Sequence, residues 1–222
     1  MTVQEMKIAG DDLSTRDINR KIKEGLRENI KKFSIESNAE LDSIVVGIRE
    51  EAEFILSGRF GDFVGALNHG PKIEIHGKTG RYVGNNMTAG EIIVHGDADD
   101  GVGFGTYNGT IVVHGDAGDG IGQLNKGGVI IIDGDIGDLA GLYMLSGDLI
   151  ITGDTGRDIG DWIIGGNIYV GGDFETGTNA KVLEPEREDL DKLSSLFSRY
   201  SIDASPEEFK KIQRKEIRPF YG

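Results

Sequence analysis

Cysteine is absent from all 222 residues, so the chain has no disulfide, no thiolate for an iron–sulfur cluster or zinc knuckle, and no cysteine nucleophile. Positive charge is scarce as well. Lys+Arg number 24 against 38 Asp+Glu, and the net charge of −14 opposes a phosphate backbone, which argues against nucleic acid as a partner. No apolar run approaches the roughly 18 residues of a membrane helix, and the opening MTVQEMKIAGDD lacks the apolar core of a secretory leader. These absences predict a soluble, cytoplasmic chain with no membrane partner. Proline occurs only four times. The excess is in glycine, 35 of 222 residues, where globular chains average roughly 7 %. Glycine does not recur at every third position, so the chain is not collagen-like.

The glycines are clustered, 31 of the 35 lying between Gly58 and Gly177. One recurs with period 19 at Gly58, Gly77, Gly96, Gly115, Gly134, Gly153 and Gly172. Seven residues later stand Gly65, Gly84, Gly103, Gly122, Gly141 and Gly160, and the pattern G-x-x-G-x-x-x-G repeats through the segment. A fixed period of this size marks a solenoid whose repeats pack only on their neighbours. Phe54, Ile73, Ile92, Ile111, Ile130, Leu149 and Ile168 precede the leading glycines by four, and Leu56, Ile75, Val94, Val113, Ile132, Ile151 and Val170 by two. That spacing is an inward-facing strand rich in β-branched residues, and four glycines in 19 residues leave no room for a helix. The predicted fold is all-β: a right-handed parallel β-helix of about seven 19-residue rungs, its corners turned by the leading glycines, which need φ > 0 or close backbone approach.

Residues 1–50 and 181–222 flank the rungs of 51–180 and are predicted to be largely helical. Ser14 reads as the N-cap of a helix over 12–32, with Ile18, Ile22, Leu26 and Ile30 on one face and Arg16, Arg20, Lys23, Arg27 and Lys31 on others, a solvated basic surface. Residues 43–48 read as an apolar strand leading into the rungs. Pro185 is expected to open a second helix carrying Leu190, Leu193 and Phe197. Ser205, Pro206 and Glu208 predict the start of a third, carrying Phe209 and Ile212, and Pro219, Phe220 and Tyr221 a docked tail.

Three columns on the ruler could carry chemistry. One residue before the leading glycine come Ser57, His76, His95, His114, Asp133, Thr152 and Gly171. A ladder diverges along the rod where a metal needs converging ligands, so the column reads as stacked side chains on an outer face, with no metal site. One residue after the glycine come Asp97, Asp116, Asp135, Asp154 and Asp173, which read as turn aspartates accepting backbone N–H bonds rather than as calcium ligands. Three residues before it, Ile55, Glu74, Ile93, Val112, Ile131, Ile150 and Tyr169 point outward. So long an apolar column is covered either by the terminal helices or by another chain, which makes Ile93, Val112, Ile131 and Ile150 a candidate partner contact. Lys72 stands where a P-loop ending at Gly77-Lys78-Thr79 needs its first glycine. Gly101, Gly103 and Gly105 lead into another strand rather than the helix of a dinucleotide fold. No catalytic, cofactor-binding or metal-ligating constellation is assigned.

The register in V-H-G-D-A-D-D-G-V-G, residues 94–103, and V-H-G-D-A-G-D-G-I-G, residues 113–122, resembles the G-x-x-G-x-x-x-G domain at the C-terminus of glutamate synthase large subunits, over about residues 50–180. The same module occurs in one of the subunits of formylmethanofuran dehydrogenase. The flanks L-S-T-R-D-I-N, residues 13–19, and E-E-F-K-K-I, residues 207–212, are similar to the stand-alone version of archaeal split glutamate synthases and N-methylglutamate synthases. The resemblance implies a non-catalytic scaffold between a glutaminase-like subunit and an FMN-binding synthase subunit, which would carry the FMN and the iron–sulfur cluster. The alternatives it leaves are the formylmethanofuran dehydrogenase subunit and a stand-alone binding solenoid. For a sugar groove the aromatics Tyr107, Tyr143 and Trp162 are few and fall at different offsets.

Overall fold

The computed structural model describes residues 4–215. Strands β1 (Glu5–Ala9), β2 (Lys32–Leu41), β3 (Glu53–Phe60), β4 (His69–Lys78), β5 (Ala89–Val94), β6 (Thr110–Val113), β7 (Lys126–Ile132), β8 (Ser146–Ile151) and β9 (Asn167–Val170) stack in chain order as parallel neighbours. Helix α1 (Thr15–Arg27) lies between the first two strands. Strand β10 (Ala180–Leu183), helix α2 (Arg187–Tyr200) and strand β11 (Lys210–Arg214) complete the described residues, with β11 antiparallel between β9 and β10. The fold is an all-β parallel β-helix with two helices. Its register repeats the sequence ruler: Ile73, Ile92, Ile111, Ile130, Leu149 and Ile168 pair in line from β4 to β9. Both inward columns, and Val64, Val83, Val102, Ile121, Ala140 and Ile159 from the opposite wall, are buried in one continuous core.

The leading glycines serve two geometries. Gly58 and Gly77 have φ of 117° and 155°, whereas Gly96, Gly115, Gly134, Gly153 and Gly172 do not enter the left-handed region. At those five, a Cβ would lie 2.5–2.9 Å from the carbonyl oxygen of the leading glycine one rung below. Close approach, not a positive φ, demands glycine there.

The sheet extends further towards the N-terminus than the ruler indicates. β2 pairs Phe33 with Phe54, an offset of 54 − 33 = 21, and regains 19 only where Leu41 pairs with Phe60. The two extra residues make a bulge beside Glu40, whose φ is 47°. Residues 43–48 are not a strand: Ser43 and Val45 have φ of 55° and 56°, and the segment is the turn that follows β2, with Ile44, Val45 and Ile48 buried. Helix α1 begins where expected, the Ser14 hydroxyl accepting from the Asp17 amide, but ends at Arg27. Asn29 turns left-handed at φ 64°, and Lys32 onward joins the sheet. Ile18, Ile22 and Leu26 pack on the core, while Arg16, Arg20, Lys23, Arg27 and Lys31 face solvent.

The helix expected after Ser205 is a single 3-10 turn, Pro206–Glu208, without a Ser205 side-chain cap. Phe209 lies against Phe197 at 5.2 Å between ring centroids, and Ile212 sits in β11 with Ala180 at the C-terminal end of the core. Ladder bonds to β9 and β10 on both sides outweigh the local helix preference of the segment. Residues Pro219, Phe220 and Tyr221 lie outside the described residues.

Candidate functional site

The outward column is covered by the chain itself. Val112, Ile131, Ile150 and Tyr169 are fully buried with Leu193, Phe197 and Tyr200 of α2, and with Ile202 and Phe209; Ile93 is partly buried at the margin of this second core. The column is therefore an internal contact, and α2 rather than a partner occupies it. The packing is apolar in the middle and pinned by polar groups. The Tyr169 hydroxyl donates to Asp189 at 2.6 Å, and Lys211 donates to both oxygens of the same carboxylate at 2.8 and 2.9 Å. Lys192 donates to the Tyr169 hydroxyl at 2.9 Å and to Asp148 at 2.8 Å. At the other end of α2, Glu91 accepts from Tyr200 and Arg199, both at 2.8 Å.

Burial works to raise the Asp189 carboxyl, but the hydrogen bonds from Lys211 and Tyr169 prevail and hold it below the ordinary value. Glu91 is likewise held low against its burial by Tyr200, Lys72 and Arg199. Burial, then the bond to Glu91, pushes the Tyr200 phenol up to about 12.

Beside the covered column runs the histidine ladder. His76 and His95 stack with centroids 4.8 Å apart and planes 6° from parallel, and His95 and His114 follow at 5.5 Å and 9°. Asp133 lies 3.5 Å from His114 Nδ1 and accepts from Thr152 at 3.1 Å. Glu74 leans across from the outward column, its Oε1 3.3 Å from His76 Nε2 and 3.0 Å from His95 Nε2.

The aspartates behave as turn acceptors. The Oδ1 atoms of Asp97, Asp116, Asp135 and Asp154 each accept the backbone N–H of the next aspartate, at 3.3, 2.9, 2.7 and 2.7 Å. A second such column, which the sequence reading did not single out, has Asp62, Asp100, Asp119 and Asp138 on the ruler; their Oδ1 atoms accept from Arg81, Asp119, Asp138 and Arg157 one rung up, and Asp42 Oδ1 accepts likewise from Asp62 at 2.8 Å. Its signal lay on the same ruler, four residues after the leading glycine. A cleft of about 360 Å³ is lined among others by Glu40, Asp42, Arg59, Lys78 and Asp97. Both of its cations are paired with single carboxylates, Arg59 with Glu40 and Lys78 with Asp97.

The opposite corner of the rod exposes apolar groups. Tyr143, Leu145, Trp162 and Ile164 are each 40–51 % exposed. The bonds Tyr143 N–H to Asp161 O at 3.1 Å and Ile164 N–H to Met144 O at 2.8 Å place them as two adjacent pairs. Tyr143 and Trp162 have φ of 53° and 52°, at a corner that is left-handed in every rung, with Leu67, Asn86, Gly105 and Leu124 before them at 60°, 52°, 65° and 56°. Left-handed backbone costs a non-glycine residue about 1–2 kcal/mol, so neither packing nor backbone geometry favours an exposed aromatic there. Tyr107 stands in the column of Leu145 and Ile164 rather than that of Tyr143 and Trp162, separated from Leu145 by Lys126, whose ammonium lies 4.0 Å over its ring, so the aromatics do not form one row.

A protein-family model described as the GXGXG motif matches residues 2–212. The chain belongs to the GXGXG motif family. It is the family of the C-terminal domain of glutamate synthase large subunits. A comparison with curated proteins finds no match. The family match runs through the flanks of this GXGXG chain as well as its glycine rungs, so β1, α1 and α2 lie within the matched unit. Among its described residues no helix is long and apolar enough to cross a membrane. Without a single cysteine the GXGXG chain offers no thiolate to an iron–sulfur cluster.

Proposed function

We propose that this GXGXG chain is the non-catalytic scaffold of a glutamate synthase-type complex in the cytoplasm, bridging a glutaminase-like subunit and an FMN-binding synthase subunit. The complex would carry out glutamine-dependent reductive amination of 2-oxoglutarate, with ammonia release on the first partner and flavin and iron–sulfur chemistry on the second. The observation that carries this reading is the family match across nearly the whole chain. Two features of the chain support it. No cysteine is available as nucleophile or cluster ligand, and the aspartate columns are engaged by backbone N–H groups rather than free for acid–base work. The patch of Tyr143, Leu145, Trp162 and Ile164 gives an apolar partner face a place to dock, since exposed aromatic and aliphatic groups of this size are anchors of interfaces.

Co-expression with both partner subunits followed by affinity capture tests the proposal. The wild type should retain a flavoprotein and an amidotransferase-like subunit, and Tyr143→Ser with Trp162→Asp should release at least one. Glutaminase activity or flavin reduction by the purified chain alone would overturn the scaffold reading, and so would undiminished assembly of the double variant for this docking face.

A further inference from the structure

Ladder histidines on their own diverge, but Glu74 changes that geometry. Ile73 and Ile75 of β4 point inward, so Glu74 and His76 stand two residues apart on the outer face. The β4–β5 pairing of Ile75 with Val94 brings His95 alongside His76. Glu74 and His76 thus lie in β4, and His95 directly follows β5 on the neighbouring rung.

The carboxylate is a departure from the rule of its own column. Ile55 holds this place one rung before, and Ile93, Val112, Ile131, Ile150 and Tyr169 in the rungs after. Packing does not call for a charge at this place, and a local departure from a consistent pattern is where function is expected. Glu74 forms ion-pair contacts with the two imidazoles and with no lysine or arginine among the described residues.

The donor atoms of Glu74, His76 and His95 all lie within 4.8 Å of one another, two of the separations being 3.0 and 3.3 Å. Ligands held at about 2.0–2.1 Å around a tetrahedral ion are separated by roughly 3.3–3.4 Å. What the stacked arrangement lacks is convergence of the two nitrogen lone pairs, which lie in nearly parallel ring planes. His95 is held between two rings, whereas His76 ends the stack with its side chain 49 % exposed. Convergence on one ion would require the exposed His76 ring to rotate about its χ angles.

We propose that Glu74, His76 and His95 form a binding site for Zn²⁺, a divalent ion that two imidazoles and one carboxylate suit. The site holds whether or not the chain assembles with partners.

Isothermal titration of the metal-free full chain with Zn²⁺ alone, at pH 7.5, should give one saturable equivalent. His95→Ala and Glu74→Gln should each weaken binding at least tenfold. His69→Ala, which removes the histidine outside the ladder, should leave it unchanged. Co²⁺ in place of Zn²⁺ should give the intense visible absorption of a four-coordinate ion, lost in the same two variants. Unchanged circular-dichroism melts of the variants would establish that they fold. No saturable binding, or binding undiminished in both His95→Ala and Glu74→Gln, overturns the proposal.

Discussion

Gly103 is the position at which the corner geometry can be tested most sharply. Its φ is 68°, and a Cβ there would lie 2.3 Å from Ile130 Cδ1 and 3.0 Å from Ile130 Cγ1, inside the core. Gly103→Ala therefore combines a left-handed backbone penalty of about 1–2 kcal/mol with an overpacking penalty of about 1–3 kcal/mol. The sum, about 2–5 kcal/mol, corresponds to a loss of roughly 4–20 °C in Tm for a chain of this size. Gly120 separates the two effects. Its φ is 66°, but a Cβ would meet only Gln123 Oε1, at 3.4 Å, so Gly120→Ala should cost the backbone part alone, about 1–2 kcal/mol. Ile130→Val removes the atom nearest the new methyl. On the wild-type background it should cost about 0.5–1.5 kcal/mol. On the Gly103→Ala background it should cost nothing or restore stability. Urea melts of the four proteins in the cycle, with Gly120→Ala alongside, measure this. Equal losses for Gly103→Ala and Gly120→Ala, or additivity of Gly103→Ala with Ile130→Val within about 0.5 kcal/mol, would refute the reasoning.

Two further outcomes follow from the covered face. Val112→Asp places a carboxylate beneath α2 in a fully buried site, a change worth about 3–5 kcal/mol. Hydrogen exchange should accelerate across residues 187–212 while β4 keeps its protection, and unchanged exchange in α2 would contradict the packing. The same face should loosen at both extremes of pH. Asp189 and Glu91 are held below their ordinary values of 3.8 and 4.5, so their contribution is present above those values and is lost as pH falls through the lower folded values. Tyr200 is raised from 10.0 to about 12, so its contribution is complete below pH 10 and disappears between pH 10 and 12. Ultraviolet titration should find one phenol ionising near 12 in the wild type and none there in Tyr200→Phe.

The rungs were legible because each one meets the same surroundings as the next, so a positional requirement is written once every 19 residues. That held for the inward columns, the stacked histidines and the first aspartate column. It failed where the spacing changes. The two-residue bulge near Glu40 hid β2, since Ala39 stands where the ruler asks for a leading glycine. Ser205 and Pro206 carried the marks of a helix start, yet the segment that follows was claimed by β9 and β10, partners distant in sequence that local propensity does not register. Glu74 was visible as the odd member of its column. Its approach to two imidazoles depended on a neighbouring column, and a reading that follows one column at a time does not see contacts between columns.

A stack of parallel strands has no intrinsic length. Each exposed edge is a template for the next strand, in this chain or another, and unchecked addition is the geometry of a fibril. β11 interrupts that propagation by turning antiparallel on β9, so that the strand finally presented, β10, is four residues long and runs in a different pairing sense from the rungs below. The other described edge, β1, is five residues long and carries Glu5 and Lys7. The reversal works as a stop signal for one-dimensional growth, so that the number of rungs is set by the gene and not by concentration.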